Sequence, residues 1–288
     1  MKRKIPDLIS IIVNCRNGER YLSHALESIS AQDYKNFEVI FFDNRSDDNS
    51  AKIANRPWSF DLKYIESDKY YSLYEARNKA INYANGEYLC FLDVDDLWDT
   101  NFLSSQIKFM KKTKSDFICS NYRILNEDTN RASSTRQAWI LPKLNISTEK
   151  LINSYFCGLL TLVMKHEFWE NMGGFDHKYN MIGDFEFVIK NSRKGKFSVN
   201  NGILATYRIH QNNLQNKAEK KQILELKMMM ESSVFEKNLS HELKRKYGFF
   251  LSRYLYNNDR FILAYVAARR YRVFYKFLRF VVRSLLNG

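Results

Sequence analysis

Three carboxylates crowd together directly after an apolar run. Residues 91–98 read FLDVDDLW, so Asp93, Asp95 and Asp96 fall within four positions with no basic residue between them. Crowded carboxylates repel one another unless a cation lies between them. Oxygen ligands of this kind suit Mg²⁺ or Mn²⁺, which keep several waters and share their coordination with substrate phosphates. Alternatively, Asp95 or Asp96 caps the helix predicted in LWDTNFLSSQIKFMKK, but capping leaves Asp93 unexplained.

Polar residues also follow two other apolar runs. Asn14–Arg16 come after LISIIVN, and Asp43–Arg45 come after FEVIFFD. The side chain of Asp43 or Asn44 suits the donor and acceptor pattern of a nucleobase edge. These two groups therefore predict a second polar region beside the crowded carboxylates.

Three single residues each have a candidate role and an ordinary alternative. Asp184, at a predicted helix start, suits either a general base whose pKa is tuned by partial burial or a favourable partner of the helix dipole. Arg77 lies on a predicted helix, where a lone arginine is usually a solvated surface charge. His210 shares one face of a predicted strand with Arg208, and a lone histidine is more often structural than catalytic.

The elements that must position these residues alternate regularly along the first half of the chain. Apolar runs of strand length are separated by stretches whose apolar residues recur at helical spacing. The predicted strands span 8–14, 37–43, 62–67 and 87–93, and the longer predicted helices between them span 19–32 and 72–85. Strands that are apolar throughout predict a mainly parallel sheet covered by helices on both faces. Ligands bind beyond the carboxyl ends of such strands, so the three polar groups are expected to converge on one edge.

Composition excludes several classes of protein. The 288 residues are 45% hydrophobic and 27% charged, with 3 Pro and 10 Gly, which is typical of one substantial globular domain with an appendage or of two modest domains. The four cysteines form no C-x-x-C pair, which disfavours a zinc site or a secreted disulfide scaffold and favours a reducing cytoplasm. The first apolar run is too short for a signal peptide, and no run of about 18 apolar residues predicts a spanning helix.

The positive charge is concentrated near the end of the chain. The formal net charge is +13, and residues 241–288 contain eleven Lys and Arg against two acidic residues. In residues 271–288 a basic stripe lies opposite an apolar face on the predicted helix. The stripe is Arg272, Lys276, Arg279 and Arg283, and the apolar face is Phe274, Phe277, Leu278, Val281 and Leu285. This pattern predicts a helix at an anionic membrane surface, on the inner face of the cell membrane, or one whose apolar face docks on the rest of the protein. Nucleic acid is not predicted as a partner, because no recognised motif accompanies the charge.

Six segments in order resemble one enzyme family. VNCRNGERYL, FFDNRSDDNS, ARNKAINYANGEYLCFLDVDDLW, GGFD, IGDFEF and YRIHQNN, spread over roughly residues 6–213, are similar to the inverting glycosyltransferases of family 2. The resemblance implies an α/β GT-A fold, a Rossmann-like mainly parallel mixed sheet flanked by helices. It implies a catalytic domain over 1–215, with a nucleotide-binding half over about 1–115 and an acceptor half over about 116–215. Residues 216–288 are then a basic helical C-terminal region.

The resemblance also assigns the metal and the base. Asp93-Val94-Asp95 looks like the family's D-x-D motif, with Asp95 as the main ligand of Mn²⁺ or Mg²⁺ and Asp93 as a contact to the ribose or to the metal and its waters. His210 matches a late histidine near the diphosphate or the metal. Asp184 matches the catalytic base.

The remaining matches surround the donor nucleotide. Arg77 matches a residue facing the nucleotide, while Asp43, Asn44 and the turn Asn14–Arg16 match the pocket of the base. Many family members have Asp-Asp where this chain has Asp43-Asn44, and a tyrosine where it has Arg16, so the preference for the nucleobase stays open.

The activity implied is transfer of a sugar from a UDP-, dTDP- or GDP-linked donor to a hydroxyl group of a glycan or lipid-linked glycan. The setting implied is synthesis of bacterial surface polysaccharide, lipooligosaccharide or capsule. A sugar nucleotidyltransferase is the first rival, but it needs a glycine-rich basic loop after the first strand, and NCRNGE has one glycine. A non-catalytic membrane-associated protein on a transferase fold is the second rival, and the presence of Asp93, Asp95 and Asp184 together argues against it.

Overall fold

The apolar runs form the strands of one mixed sheet in the computed structural model. The structure describes residues 4–127, 131–136, 146–153, 155–211, 213, 218–232 and 237–287. The strands are β1 Ile5–Cys15, β2 Phe37–Asp43, β3 Leu62–Glu66, β4 Gly86–Phe91, β5 Leu97–Trp98, β6 Phe117–Asn126, β7 Arg131–Arg136, β8 Val163–Lys165 and β9 Phe197–Ile209. The mainly parallel mixed sheet predicted for the first half of the chain is confirmed.

The strand order places the first four predicted strands side by side. The order is β3-β2-β1-β4-β8-β6-β9-β5, with β7 paired to the outer part of β6. Strands β3, β2, β1 and β4 run parallel, and β6 is parallel to β9. The other pairs, which involve β5, β7 and β8, are antiparallel. Parallel neighbours end at the same edge of a sheet, and this edge receives the polar turns.

Helices connect and cover the strands. In chain order they are α1 Glu19–Ser30, α2 Ser50–Ala54, α3 Leu73–Ile81, α4 Phe102–Thr113, α5 Thr148–Asn153, α6 His166–Asn171, α7 Gly183–Asn191, α8 Glu219–Glu231, α9 Lys237–Asn257, α10 Phe261–Arg270 and α11 Phe274–Asn287. The apolar stripe of α1 is fully buried, as its helical spacing predicts, and all seven residues of β2 are buried. A 3₁₀ turn covers Leu159–Thr161.

Two local predictions are wrong. Leu97 and Trp98 form the short strand β5 instead of the first turn of a helix, and α4 begins at Phe102 after Asn101. The Trp98 indole donates a hydrogen bond to the carbonyl of Leu160 at 2.7 Å and stacks on Phe102 at 4.2 Å, so burial of this ring decides the local backbone. Residues 159–164 read LLTLVM, an apolar run that predicts a strand, but they begin with the 3₁₀ turn.

The chain divides into two compact units. The first unit contains Met1–Ile146 and Phe156–Gln211, and the second contains Ser147–Tyr155 and Asn212–Gly288. The segment Ser147–Tyr155, which the sequence places in the acceptor half, therefore groups with the C-terminal helices. The composition of residues 127–140 predicts a polar loop or a hairpin. Within this range Arg131–Arg136 form β7, which pairs with β6, while residues 128–130 and 137–140 lie outside the described residues.

The second unit has a small apolar core of its own. Phe277 of α11 is buried with Ala264 and Ala268 of α10, and Phe274 and Val281 pack against the same cluster. Much of the apolar face predicted for this helix therefore points into the second unit. Helix α10 carries the largest group of exposed apolar side chains in the described residues, at Phe261, Ile262, Leu263, Tyr265 and Val266. None of the helices in the described residues has the combined length and hydropathy of a bilayer-spanning segment.

Candidate functional site

The carboxyl ends of three parallel strands bring the predicted polar turns together. Cys15 at the end of β1 is in register with Asp43 at the end of β2, and Ile12 of β1 is in register with Phe91 of β4. The turns after β1, β2 and β4 therefore open on the same edge of the sheet. This is the convergence that the alternation of strands and helices predicts.

Asp96 is a structural residue of the carboxylate turn. Its backbone N–H donates to the carbonyl of Asp93 at 3.0 Å, and its buried carboxylate accepts a hydrogen bond from the backbone N–H of Arg208 at 3.0 Å. Burial raises the pKa of Asp96, and the charges of Asp95 and Asp93 raise it further. Asp96 thus ties the turn after β4 to β9, and its predicted role as a helix cap is wrong because α4 begins after Asn101.

Asp95 faces His210 across the site. The Asp95 Oδ2 atom lies 3.0 Å from His210 Nε2, and both side chains are only partly accessible to solvent. Burial and the neighbouring Asp93 raise the pKa of Asp95, whereas the hydrogen bond from His210 lowers it. The structure therefore joins two of the predicted metal ligands. His210 lies just past the end of β9 and not within the strand.

Arg208 holds the end of β9 in place together with Glu127 and Tyr21, two residues that the sequence did not suggest. The Arg208 guanidinium donates to the carbonyl of Asp95 at 3.0 Å and to Glu127 at 3.2 Å. The Tyr21 hydroxyl donates to the other oxygen of Glu127 at 2.5 Å. The Tyr21 ring also lies 4.7 Å from the imidazole of His210 and 5.0 Å from the Arg208 guanidinium, centre to centre. These contacts fix the position of the imidazole.

Arg77 is a buried partner of Asp93. Its side chain is only 3% exposed, and its guanidinium donates to Asp93 Oδ1 at 2.6 Å. The same guanidinium lies 4.9 Å above the ring of Tyr74. The ordinary reading of Arg77 as a solvated surface charge is therefore wrong. A buried guanidinium needs a carboxylate partner, and Asp93 provides it.

Asp184 lies in the first turn of α7 and contacts Tyr74. The Tyr74 hydroxyl donates to Asp184 Oδ1 at 2.6 Å. Burial raises the pKa of Asp184, while the Tyr74 hydrogen bond and the Arg77 charge act in the opposite direction. A chain of contacts thus runs from Asp184 through Tyr74 and Arg77 to Asp93.

Gly183 permits this arrangement. A Cβ atom at Gly183 would lie 2.6 Å from a ring carbon of Tyr74, well inside contact distance. The aromatic ring packs directly on the glycine backbone, which brings the Tyr74 hydroxyl within reach of Asp184. In the sequence, Gly183 directly before Asp184 is the only sign of this arrangement. The ring that packs on the glycine belongs to Tyr74, 109 positions earlier, and no local pattern identifies it.

The turn after β2 uses its polar side chains to hold neighbouring loops. Asp43 accepts hydrogen bonds from the Ser46 backbone N–H and the Tyr64 hydroxyl, both at 2.8 Å. The amide of Asn44 exchanges two hydrogen bonds of 2.9 Å with the backbone of Tyr71. In this structure the side chains of Asp43 and Asn44 hold the loops that border the carboxyl edge of the sheet.

The last residues of β1 include a buried amide to which no described residue hydrogen-bonds. Both polar side-chain atoms of Asn14 are buried, and no described residue hydrogen-bonds to them. Arg16 is exposed, with its guanidinium 4.2 Å from the centre of the Tyr70 ring. Val94 packs against the Gly18 backbone, where a Cβ atom would lie 2.9 Å from the valine methyl. A buried amide without a partner is suited to receive a ligand's polar group.

The residues present fit a divalent cation that shares its coordination with a ligand. Among the described residues, no three His, Cys, Asp or Glu side chains come together as a preformed metal cage. Asp95 and His210 instead form a pair with Asp93 close by in sequence, and the crowded charges raise the Asp95 pKa. Mg²⁺ and Mn²⁺ sites of this type use one or two carboxylates and complete their shells with water and phosphate oxygens.

Comparison with known proteins agrees with this arrangement. Residues 10–171 match the family model described as Glycosyl transferase family 2. The chain is 32% identical over 157 residues to UDP-Glc:alpha-D-GlcNAc-diphosphoundecaprenol beta-1,3-glucosyltransferase WfgD of Escherichia coli, a match that covers 54% of this chain and 60% of the relative. It is 37% identical over 118 residues to the E. coli enzyme WfaP of the same description, covering 41% of this chain and 47% of that protein. The matched region thus spans about half the length of these relatives.

Solved structures share the fold. The S. aureus protein TarS, residues 1–349, in complex with UDP-GlcNAc superposes with a TM-score of 0.67 at 19% identity, over 88% of this chain and 73% of that chain. The mannosyltransferase PcManGT of Pyrobaculum calidifontis, in complex with GDP-Man and Mn²⁺, gives a TM-score of 0.65 at 18% identity, over 91% and 75% of the two chains. At these identities the likeness concerns the fold, and it confirms the predicted GT-A architecture.

The hydrogen bond from Tyr74 to Asp184 leads to a testable prediction about the pKa of Asp184. The Tyr74 hydroxyl stabilises the ionised carboxylate, so Tyr74→Phe is expected to raise the pKa of Asp184 further. The measurement is a pH titration of ¹³C-carboxyl-labelled aspartate by NMR, with the signal assigned through Asp184→Asn. Tyr71→Phe is the matched control, because its hydroxyl donates to Asp68 instead. An Asp184 pKa that stayed constant or fell in Tyr74→Phe would contradict this view of the contact.

Proposed function

The chain belongs to glycosyl transferase family 2, and from this premise we propose that it transfers a sugar from a nucleoside diphosphate sugar to a hydroxyl group of a glycan acceptor. The observation that carries the proposal is the partly buried Asp184, linked through Tyr74 and Arg77 to the carboxylate turn after β4. This linkage couples a basic group to a site suited to a diphosphate. The alternative of a sugar nucleotidyltransferase does not explain a base at Asp184. It also requires a glycine-rich phosphate-binding loop after β1, where NCRNGE has one glycine.

Asp184 acts as the general base. Its carboxylate takes the proton of the acceptor hydroxyl while that oxygen forms a bond to the anomeric carbon of the donor. The bond between the anomeric carbon and the diphosphate oxygen breaks in the same step, and the electron pair leaves with the diphosphate. A single displacement inverts the anomeric configuration. The raised pKa of Asp184 makes it a better proton acceptor than an exposed aspartate.

Asp95, His210 and Asp93 are the residues that would hold Mn²⁺ or Mg²⁺. When bound, the cation supplies Lewis-acid stabilisation of the charge on the departing diphosphate. Arg77 holds Asp93 in place through its hydrogen bond, and Arg208 positions the turn through the carbonyl of Asp95. The chain's own residues thus preorganise a negative pocket that a cation and a diphosphate complete.

The base of the donor nucleotide is proposed to lie against the turns after β1 and β2. The unpartnered Asn14 amide supplies both a donor and an acceptor, and the Arg16 guanidinium supplies a cation at the entrance. Asp43 and Asn44 shape the adjoining wall. The donor is UDP-, dTDP- or GDP-linked. The named E. coli relatives use UDP-Glc, and the structural neighbours were solved with UDP-GlcNAc and GDP-Man.

The acceptor is proposed to be a glycan carried on a lipid, in the synthesis of a bacterial surface polysaccharide. Support comes from the two E. coli relatives, whose names specify a GlcNAc-diphosphoundecaprenol acceptor, and from the Bacillus subtilis relative TuaG, described as a putative teichuronic acid biosynthesis glycosyltransferase. An acceptor of this kind resides in a membrane, so the enzyme must work close to one.

We propose peripheral attachment to the anionic inner face of the cell membrane, and the surface of the second unit supports this proposal. Its helix α10 exposes several large apolar side chains in succession, with Ile262 80% exposed. Basic residues flank this patch at Arg260, Arg269 and Arg270. Apolar groups beside cations are typical of a helix that lies in a membrane interface. The membrane-facing surface we propose is therefore on α10 and not on the predicted face of α11, whose apolar residues largely pack inward.

A donor screen with Asp95→Ala tests the metal assignment. A thermal-shift screen of UDP-, GDP- and dTDP-sugars with Mn²⁺ should reveal one donor class that stabilises the protein, since a ligand of the native state raises the melting temperature by mass action. Calorimetric titration of that donor should then show binding that needs Mn²⁺ in the wild type and is lost in Asp95→Ala. Asp47→Ala, an exposed acid on the same edge, is the control. Tight donor binding in the absence of metal would refute the assignment.

Asp184→Asn tests the base. The amide keeps the size of the side chain but accepts no proton, so kcat for transfer is expected to fall by about 10²–10⁴-fold, while donor affinity stays within about twofold of the wild type. Asp176→Asn is the control, because Asp176 pairs with Lys178 at the surface. Single-turnover transfer and donor calorimetry separate the two effects. Wild-type turnover in Asp184→Asn would show that another group takes the proton.

The membrane proposal predicts a specific loss of vesicle binding. Ile262→Gln with Val266→Gln removes apolar area from α10, and partitioning to vesicles containing phosphatidylglycerol is expected to fall about tenfold. Leu224→Gln with Met228→Gln is the control, because these two apolar side chains on α8 are also exposed but lie outside α10. The measurement is vesicle flotation of the full chain. Equal partitioning of the two double variants would remove α10 as the attachment surface.

A further inference from the structure

A basic cavity lies within the second unit. Its volume is about 470 Å³, and α5, α9 and the beginning of α11 contribute to its wall. Five cationic side chains line it, namely Arg245, Lys246, Arg272, Lys276 and Arg279. The Asn153 amide adds a polar group that can both donate and accept. None of these residues belongs to the site proposed for the donor sugar.

The lining of the cavity contains five cationic residues and no acidic residue. Within the described residues, the carboxylate paired with Arg245 is Glu242, at 3.6 Å. Lys246 donates to the carbonyl of Ile152 at 2.8 Å, which holds its ammonium at the wall. A cluster of five cations in one concave surface is unfavourable without an anion, because like charges repel.

Lys276 experiences this repulsion directly. Although the residue keeps solvent contact, burial of its ammonium and the neighbouring Arg245 lower its pKa from the ordinary lysine value. The ammonium also lies 4.6 Å from the ring of Phe249. Arg272 adds a further constraint, because its backbone has φ of 54°, a left-handed conformation that is uncommon for arginine. The wall is therefore ordered by specific contacts from several elements.

Three members of the basic stripe seen in the sequence meet here with two cations of another helix. Lys276 and Arg279 lie on α11, Arg272 lies in the turn just before it, and Arg245 and Lys246 lie on α9. The stripe alone predicts only a charged face. The fold converts part of that face into a concave site, while the fourth member, Arg283, does not line it.

We propose that this cavity binds the phosphate or diphosphate group of an anionic ligand. Guanidinium groups bind phosphate oxygens through paired, charge-assisted hydrogen bonds, and lysine ammonium groups add point charges. Five cations against one diphosphate give an excess of positive charge that favours a multiply charged anion over a chloride or a single carboxylate. The group arrives either on a membrane lipid or on a diphosphate-bearing ligand.

Pyrophosphate titration of the full chain tests the cavity. The titration is done by calorimetry in EDTA at low ionic strength, because without a divalent cation the carboxylate turn repels a diphosphate. The wild type is expected to bind pyrophosphate, and the triple variant Arg245→Gln, Lys276→Gln, Arg279→Gln is expected to bind it at least tenfold more weakly. Arg279→Gln alone should lower the affinity for pyrophosphate by about threefold. Because Arg279 is exposed, this single variant is expected to fold even if the triple variant does not.

A charge-matched control isolates the cavity from the general basic charge. Lys220→Gln, Lys244→Gln, Arg283→Gln removes the same three charges from exposed positions that do not line the cavity. Affinity in this control within about twofold of the wild type supports the proposal. An equal loss in both triple variants, or no pyrophosphate binding by the wild type, overturns it. Donor binding with Mn²⁺ should be unaffected in the cavity variant, so failure here is distinguishable from failure of the proposed transferase function.

Vesicle flotation distinguishes the two sources of the phosphate. Binding to phosphatidylglycerol vesicles that pyrophosphate displaces, and that weakens in the cavity variant, supports a membrane lipid. Unchanged vesicle binding combined with lost pyrophosphate binding supports a diphosphate-bearing ligand. Vesicle binding that weakens in the cavity variant but resists pyrophosphate overturns a phosphate site in favour of general surface attraction.

Discussion

Repulsion among three neighbouring carboxylates is the constraint around which the first unit is built. Each of them is balanced in a different way. Asp93 receives a buried guanidinium from α3, Asp95 faces an imidazole at the end of β9, and Asp96 accepts a backbone N–H of the same strand. The sheet provides these partners because β4 and β9 end near one another in the fold, although they lie more than one hundred residues apart in the chain. These partners offset the repulsion among the neighbouring carboxylates, and the proposed cation would offset it further.

The alternation of strands and helices and the convergence of the polar turns were predictable from local patterns. FEVIFFD is a buried strand at the predicted positions, and Leu22 to Ile29 form the buried stripe of α1. Periodicity and apolar runs are local properties, so one stretch of sequence is enough to recognise them. The resemblance to a family added roles for Asp95 and Asp184, which no local pattern distinguishes from ordinary helix-capping acids.

The partners of the site residues could not be predicted, because each contact joins distant segments. Tyr74 looks like any aromatic residue on an amphipathic helix until α7 places Asp184 beside its hydroxyl. Glu127 and Tyr21 show no motif, yet together they fix Arg208 and the imidazole of His210. The helix predicted to begin at Leu97 failed for a similar reason, since the burial of Trp98 against Phe102 and Leu160 overrides local helical preference.

Gly183 shows how geometry and charge are joined in this protein. The ring of Tyr74 packs on its backbone, in space that any side chain would occupy. A methyl group at this position would push the ring away and, with it, both the hydroxyl that contacts Asp184 and the aromatic surface beneath Arg77. A purely steric change at a residue without a side chain would therefore act as an electrostatic change at two carboxylates, Asp184 and Asp93. The smallest residue of the site thereby sets the contacts on which the proton affinity of Asp184 depends.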